Sequence, residues 1–137
     1  MPKIKSLRPF IPAYGFAVLI LIGSSIPTNR LHRLQRQSPL LAILLSDFVL
    51  HFVAFFILAF LLSMGYVKTK QIRLWWAKAA ALSLLVGLLV EVIQIFLPYR
   101  NFSVKDMGVD VLGIVTALAF FALLTRGHSY FRRKWGD

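Results

Sequence analysis

Between Lys78 and Arg100 the chain reads AAALSLLVGLLVEVIQIFLPY (79–99), a stretch with no basic residue and one acid, Glu91. Roughly 20 mostly apolar residues are what an α-helix needs to cross the hydrocarbon core of a bilayer, so the stretch is predicted to span a membrane. Working outward, three more segments have that character. One lies between Arg8 and Arg30. Another runs from about Leu40 to Val67, interrupted by Asp47 and His51, and the last runs from about Met107 to Thr125, with Asp110 near its start. Pro27, Pro39 and Pro98 stand at the breaks, where proline ends or restarts a helix. The spans are expected at about 10–28, 40–66, 77–98 and 106–125. Each is too long and too continuously apolar for a barrel strand. The expected fold class is therefore an all-α integral membrane protein, a four-transmembrane-helix bundle forming a single domain over residues 1–137.

Composition agrees. Of 137 residues, 58% are hydrophobic, too many for a domain that must present a water-facing surface. A net charge of +11 raises nucleic acid as a partner, but the basic residues sit in short clusters at the ends of apolar runs. There they meet anionic headgroups and orient helices, so no nucleic-acid partner is expected. With no cysteine, disulfides and thiolate metal sites are excluded. Lys3, Lys5 and Arg8 ahead of an apolar run ending at Gly23-Ser24-Ser25 resemble a signal peptide, but the run exceeds an ordinary h-region. It is expected to be retained as a span.

Orientation follows from the loops. A cytoplasmic N-terminus places Lys3, Lys5, Arg8, Lys68, Lys70, Arg73, Lys78, Arg126, Arg132, Arg133 and Lys134 inside, and only Arg30, Arg33, Arg36, Arg100 and Lys105 outside. The positive-inside rule selects this N-in/C-in arrangement. Trp75, Trp76 and Trp135 then fall at the inner interface, and Tyr99 and Phe102 at the outer one. The outer loop with Arg30, Arg33 and Arg36 has no acid nearby; an anionic ligand is one explanation, scatter in the rule the other.

The acids carry the functional information. Five exist, and apart from Asp137 all lie in or beside the spans: Asp47, Glu91, Asp106 and Asp110. The topology puts all of them toward the outer leaflet. Spacing of three or four residues pairs Asp47 with His51, Glu91 with Gln94, and Asp106 with Asp110 on single helix faces. Ser83 and Gly87 continue the Glu91 face, and Gly113 and Ala117 continue that of Asp110, as close helix packing in lipid requires. Ionised groups at such depth cost about 2.5 to 3.5 kcal/mol each on insertion, so these side chains must face one another or a wet cavity. Arg100, Lys105 and His51 are the expected counter-charges, with Ser103 and Asn101 completing a polar pocket under the loop from Pro98 to Asp106.

That pocket can be read as a structural ion network. The excess of acids over fixed cations points instead to a bound cation, shared protons or a ligand with positive character. Asp47, His51, Glu91 and Asp106 are the candidate catalytic groups for acid and base work. Gln94, Arg100, Ser103 and Asp110 are the candidate ligand-binding groups, with Arg100 suited to a phosphate or carboxylate. Ser103 is the sole nearby nucleophile, and the pattern Ser103-x-x-Asp106 marks it as a helix N-cap. No metal is assigned, since Glu91-x-x-Gln94 stands where a di-iron bundle has Glu-x-x-His, and no cofactor is implied. Phe52, Phe55, Phe56 and Phe60 are read as packing and lipid contacts, His32 and His128 as solvated, and the run Arg132 to Trp135 as a headgroup anchor.

The pattern Asp47-x-x-x-His51, then Glu91-x-x-Gln94-x-x-x-Pro98-x-Arg100-x-x-Ser103-x-x-Asp106-x-x-x-Asp110-x-x-Gly113, resembles the VanZ-like family of small bacterial membrane proteins. With Ser24-Ser25 before Pro27, the resemblance spans about residues 20 to 117. Two positions depart from it: Phe48 stands where relatives often have Lys, and Asp110 where they often have Asn. The resemblance implies a multi-pass protein of the bacterial cytoplasmic membrane, in a family named for a member linked to glycopeptide, especially teicoplanin, resistance. It brings no settled activity. The expected function is binding of an amphiphilic lipid or cell-wall-related ligand at an outer-leaflet polar site. The alternative is a membrane enzyme acting on the phosphate or peptide part of a lipid-linked substrate. Expected partners are membrane lipids and a lipid-linked cell-wall intermediate, and a transport pathway would require a homodimer.

Overall fold

The computed structural model describes residues 7–69, 74–99 and 103–135, side chains of 28–31 and 127–135 excepted. Every regular element among them is helical. A 3₁₀ turn (Arg8–Phe10) leads into α1 (Ile11–Ser24), followed by α2 (Thr28–Gln35), α3 (Pro39–Leu44), α4 (Asp47–Lys68), α5 (Trp75–Ile95) and α6 (Val104–Trp135). Three helices are long and apolar enough to cross a membrane: Asp47–Lys68, Trp75–Ile95 and Val104–Arg126. Arg8–Ser24 is a shorter apolar helix.

The sides of α5 show what surrounds it. Its buried residues are Ala79, Ser83, Gly87, Val90, Glu91 and Gln94, whereas Leu84, Leu85, Leu88, Leu89, Val92 and Ile95 are exposed. Small and polar groups inside with leucines outside is the reverse of a water-soluble helix, and is what lipid as solvent selects. Close approach follows from the small residues. A Cβ on Gly113 of α6 would lie 2.6 Å from the Phe52 carbonyl oxygen and 3.2 Å from the Phe56 nitrogen, so the backbones of α4 and α6 touch there. Farther along, Phe60 packs on Phe120 and, edge to face at 5.4 Å, on Phe121. The two helices therefore run parallel, and α5 returns between them.

At the far end of α4, the Phe10 ring packs on Gly65, where a Cβ would lie 2.6 Å from it, and meets Tyr66 edge to face at 4.9 Å. Lys78 at the start of α5 sits over the same Tyr66 ring. These contacts make α1 and α5 antiparallel to α4.

Several boundaries differ from the sequence expectation, each for a local reason. The first apolar helix stops at Ser24 instead of about residue 28, with the Ser24 and Ser25 hydroxyls both donating to the Leu21 carbonyl and Pro27 beyond. The expected helix over 40–66 is two helices. Ser38 caps α3 by accepting from Leu40 N–H, and Ser46 caps α4 by accepting from Val49 N–H. Asp47 thereby stands in the first turn of α4, where the helix dipole favours an anion, and not within a continuous span. The last helix continues to Trp135 instead of ending near 125. Trp75 also departs from a simple interfacial anchor, since it packs edge to face on Phe121 at 5.2 Å, while Trp76 is exposed.

Candidate functional site

The start of α4, the end of α5 and the start of α6 meet at one end of the bundle. Tyr99, beyond α5, donates its hydroxyl to the Ser25 carbonyl at 2.9 Å, which ties the end of α1 to the same place. His51 lies one turn into α4, and its Nδ1 is 2.8 Å from Asp110 Oδ1 on α6. With Asp110 ionised, Nδ1 carries the hydrogen and donates it, leaving Nε2 for other work. The imidazole also stacks on Phe55, at a 13° interplanar angle. Asp110 is 2% exposed, and its Oδ2 has no hydrogen-bond partner among the described residues. Gly87 makes room for that oxygen: a Cβ there would be 3.2 Å from it.

Glu91, also 2% exposed, reaches out of the last turns of α5. Its Oε2 accepts the Ser103 backbone N–H at 3.2 Å, and its Oε1 has no partner among the described residues. The Ser103 hydroxyl accepts the Asp106 N–H at 3.3 Å. The expected cap at Ser103 is thus present, but with a substitution. In a capping box the third helical residue reaches back to the cap N–H; here Glu91 of α5 takes that N–H in place of Asp106. Asp106 lies within electrostatic reach of His51, Glu91 and Asp110. Asp47 lies within reach of His51. Gln94 is buried one turn beyond Glu91 on the inner face of α5.

The residues singled out from the sequence therefore come together in large part: Asp47, His51, Glu91, Asp106 and Asp110 form one neighbourhood, with Ser103 bonded into it. Two expectations change. His51, expected as a counter-charge on the same helix face as Asp47, has its hydrogen-bonded partner on another helix, in Asp110. Lys105, expected as a counter-charge, is exposed and makes no ion pair among the described residues. Arg100, Asn101 and Phe102 lie outside the described residues, as do the tail residues Lys3 and Lys5. No group of three or more His, Asp and Glu side chains among the described residues could hold a metal ion.

Sequence reading did not find the groove beside this cluster. Its volume is about 490 Å³, and its walls include Phe16, Leu19, Ile20 and Gly23 of α1, Leu34 of α2, and Leu50, Ala54 and Phe55 of α4. Asp47 and His51 are its ionisable wall residues. Leu19, Ile26, Leu34 and Leu50 on the walls remain exposed, so the groove opens sideways, toward the lipid in a membrane. Gly23 contributes open space to it, since a Cβ there would meet nothing within 4 Å.

A family model described as VanZ/LLP1 matches residues 10–125. The chain belongs to the VanZ/LLP1 family. The match includes α1 through the membrane-length part of α6, and so every residue of the cluster and the groove. No curated protein and no solved structure matches the chain. What this VanZ/LLP1 protein does must accordingly be argued from its own geometry: a polar end built from three helices, opening through His51 and Asp47 onto an apolar groove.

Proposed function

We propose that this VanZ/LLP1 protein is a multi-pass envelope membrane protein that binds an amphiphilic lipid or cell-wall-related ligand, with its apolar part in the groove and its polar part at Asp47 and His51. The observation that carries the reading is the groove itself, an apolar trough of about 490 Å³ with ionisable walls at Asp47 and His51. That volume is within the ordinary range of small-ligand sites, roughly 300 to 1,000 Å³. In this reading α1 completes a four-span bundle, both termini are cytoplasmic, and the polar cluster faces the outer leaflet of the cytoplasmic membrane. A cell-wall-related amphiphile also suits the family's link to glycopeptide, especially teicoplanin, resistance.

The test is photo-crosslinking of the purified chain with a phosphatidylcholine carrying a photoactivatable acyl chain. Labelling should map to the walls of the groove and be lost in Gly23→Trp, at a wall position where an added Cβ meets nothing within 4 Å. Labelling spread evenly over the exposed leucines of α5, unchanged by Gly23→Trp, would overturn it. Orientation is checked in this cysteine-free chain by Asn29→Cys, expected to react with an impermeant maleimide in intact cells, against Ser129→Cys, expected not to react.

The pairing of Asp110 with His51 Nδ1 supports a second reading, a membrane enzyme acting on the phosphate or peptide part of a lipid-linked substrate. A buried carboxylate on Nδ1 orients an imidazole so that Nε2 can move a proton. Mass analysis of envelope lipids and cell-wall precursors, with wild type and with His51→Gln, distinguishes the two. A product made by wild type alone favours the enzyme, and an unchanged lipid profile favours binding.

A further inference from the structure

The groove is an apolar trough, but one of its walls comes from α2, a helix with basic residues and no acid. Leu34 of α2 lines it, and Arg33 and Arg36, flanking Leu34 in sequence, are both exposed. From Ile26 to Ser46 the sequence contains no Asp or Glu, and neither arginine makes an ion pair among the described residues. The position of α2 is fixed. Gln35 Nε2 donates to the Leu45 carbonyl at 2.8 Å, where α3 ends two residues ahead of Asp47, so the basic helix is tied to the segment that leads into α4. His32 Nδ1 and Gln35 Oε1, 2.9 Å apart, brace the same turn.

Two exposed arginines, one and two residues from a wall residue of an apolar trough, offer a recognition pattern for a lipid phosphate. Arginine offers planar forks of donors that match phosphate oxygens, and the trough takes a hydrocarbon chain. We infer that the groove holds one acyl chain of an anionic membrane lipid, with the lipid phosphate against Arg33 and Arg36. This rests on the groove being an amphiphile site, and it adds the charge of the headgroup and the element that reads it.

The experiment uses the full chain in detergent, challenged with equimolar phosphatidylglycerol and phosphatidylcholine of identical chains and read by native mass spectrometry. A basic residue near an anionic lipid surface contributes about fivefold, so wild type should retain phosphatidylglycerol over phosphatidylcholine by roughly tenfold or more. The preference should shrink in about 1 M salt, where the screening length falls to about 3 Å. Arg33→Gln combined with Arg36→Gln should abolish the preference while phosphatidylcholine retention and thermal stability stay at wild-type values, because both side chains are exposed. Lys105→Gln, which removes one positive charge at an exposed position on α6, should leave the preference in place. Equal retention of the two lipids by wild type, or a preference that survives the double arginine variant or disappears in Lys105→Gln, overturns the inference. Glycerol phosphate competing as well as phosphatidylglycerol overturns it too, since the chain would then contribute nothing. Failure here with the photoactivatable phosphatidylcholine still labelling the groove leaves the amphiphile reading standing. Failure of both sinks the two together.

Discussion

The two ends of this bundle use the same small-residue device to opposite purposes. Where α4 ends, Gly65 lets the Phe10 ring lie flat against the helix, and Tyr66, Ala79 and Ala13 close an apolar core around it. Where α4 begins, Gly87 gives equivalent room, but the group that enters is the Asp110 carboxylate. One end is filled with hydrocarbon and needs nothing further. The other holds buried oxygens of Glu91 and Asp110 without hydrogen-bond partners among the described residues, in surroundings where an unmet polar group costs several kcal/mol. Packing alone gives no reason to build the second end when the first is available, and that asymmetry is what supports the proposal of a site at the polar end.

The comparison breaks first, and hardest, at the seam that joins the ends. Alanine at Gly113 gains about 1 kcal/mol of helix propensity, but its Cβ would be 2.6 Å from the Phe52 carbonyl oxygen, and backbone cannot rotate away as a side chain can. Gly113→Ala should therefore lose about 1 to 3 kcal/mol net, and Gly113→Leu should abolish expression of folded protein. Thermal unfolding in detergent reads both, and a stable Gly113→Leu protein would mean that α4 and α6 do not touch as described. At the polar end, Asp110→Leu leaves His51 Nδ1 without its partner and should lose about 1 to 3 kcal/mol. Asp110→Asn keeps a carbonyl oxygen for the Nδ1 hydrogen and should be close to wild type in the same assay. Equal loss in the two variants would show that charge, and not the hydrogen bond, holds His51.

Both ends were unequally legible in the sequence. Polar residues within apolar runs announce themselves, so Asp47, His51, Glu91, Asp106 and Asp110 could be gathered into one neighbourhood from helical spacing and topology alone. The pairing inside it could not. Asp47 is the same-face neighbour of His51 on α4, but Asp110 reaches it only because Gly113 brings α6 into backbone contact, a fact of three dimensions. Helix starts were misjudged for a different reason. Hydropathy averages over Ser46, a short residue directly after two leucines, although it caps α4 and so splits one expected span in two. The groove escaped notice because it is formed by what is missing: Gly23 and Ala54 are small residues on two helices, and nothing in either segment says that they face one another. The family was readable from the block Glu91 to Gly113, whose polar spacing is too regular for a packing face.

At the apolar end, Gly65→Ala is a milder version of the Gly113 change. The inserted Cβ meets Phe10 Cδ1 and Cε1 at 2.6 and 2.7 Å, the side of a ring carried by the 3₁₀ turn Arg8–Phe10, and a side chain can give way where backbone cannot. The gain of about 1 kcal/mol in propensity roughly offsets the lost ring contact, so net stability should change by less than about 1 kcal/mol. The tyrosine environment should change more visibly, since Phe10 packs on Tyr66. Near-ultraviolet circular dichroism is expected to shift while lipid retention does not. Lost lipid retention would mean that the two ends are coupled.

The smallest expected effect on stability belongs to Glu91→Gln, and it is the one that separates a scaffold from a site. The Ser103 N–H needs an acceptor, and a glutamine amide oxygen can supply it at the position of Oε2. The substitution removes a negative charge from a neighbourhood that already includes Asp106 and Asp110, where like charges oppose one another. If the cluster is a balanced ion network, losing Glu91 strands a positive partner, and breaking such a buried pair commonly costs about 3 to 5 kcal/mol. If it carries surplus negative charge for a ligand, the variant should unfold at the wild-type temperature or slightly above it. Lipid binding, or the envelope-lipid phenotype that depends on it, should nevertheless be lost. Melting temperature and lipid retention measured on the same preparation decide the matter: joint loss returns the cluster to a structural role, whereas retained stability with lost binding is the expected signature of charge kept for function at a cost to the fold.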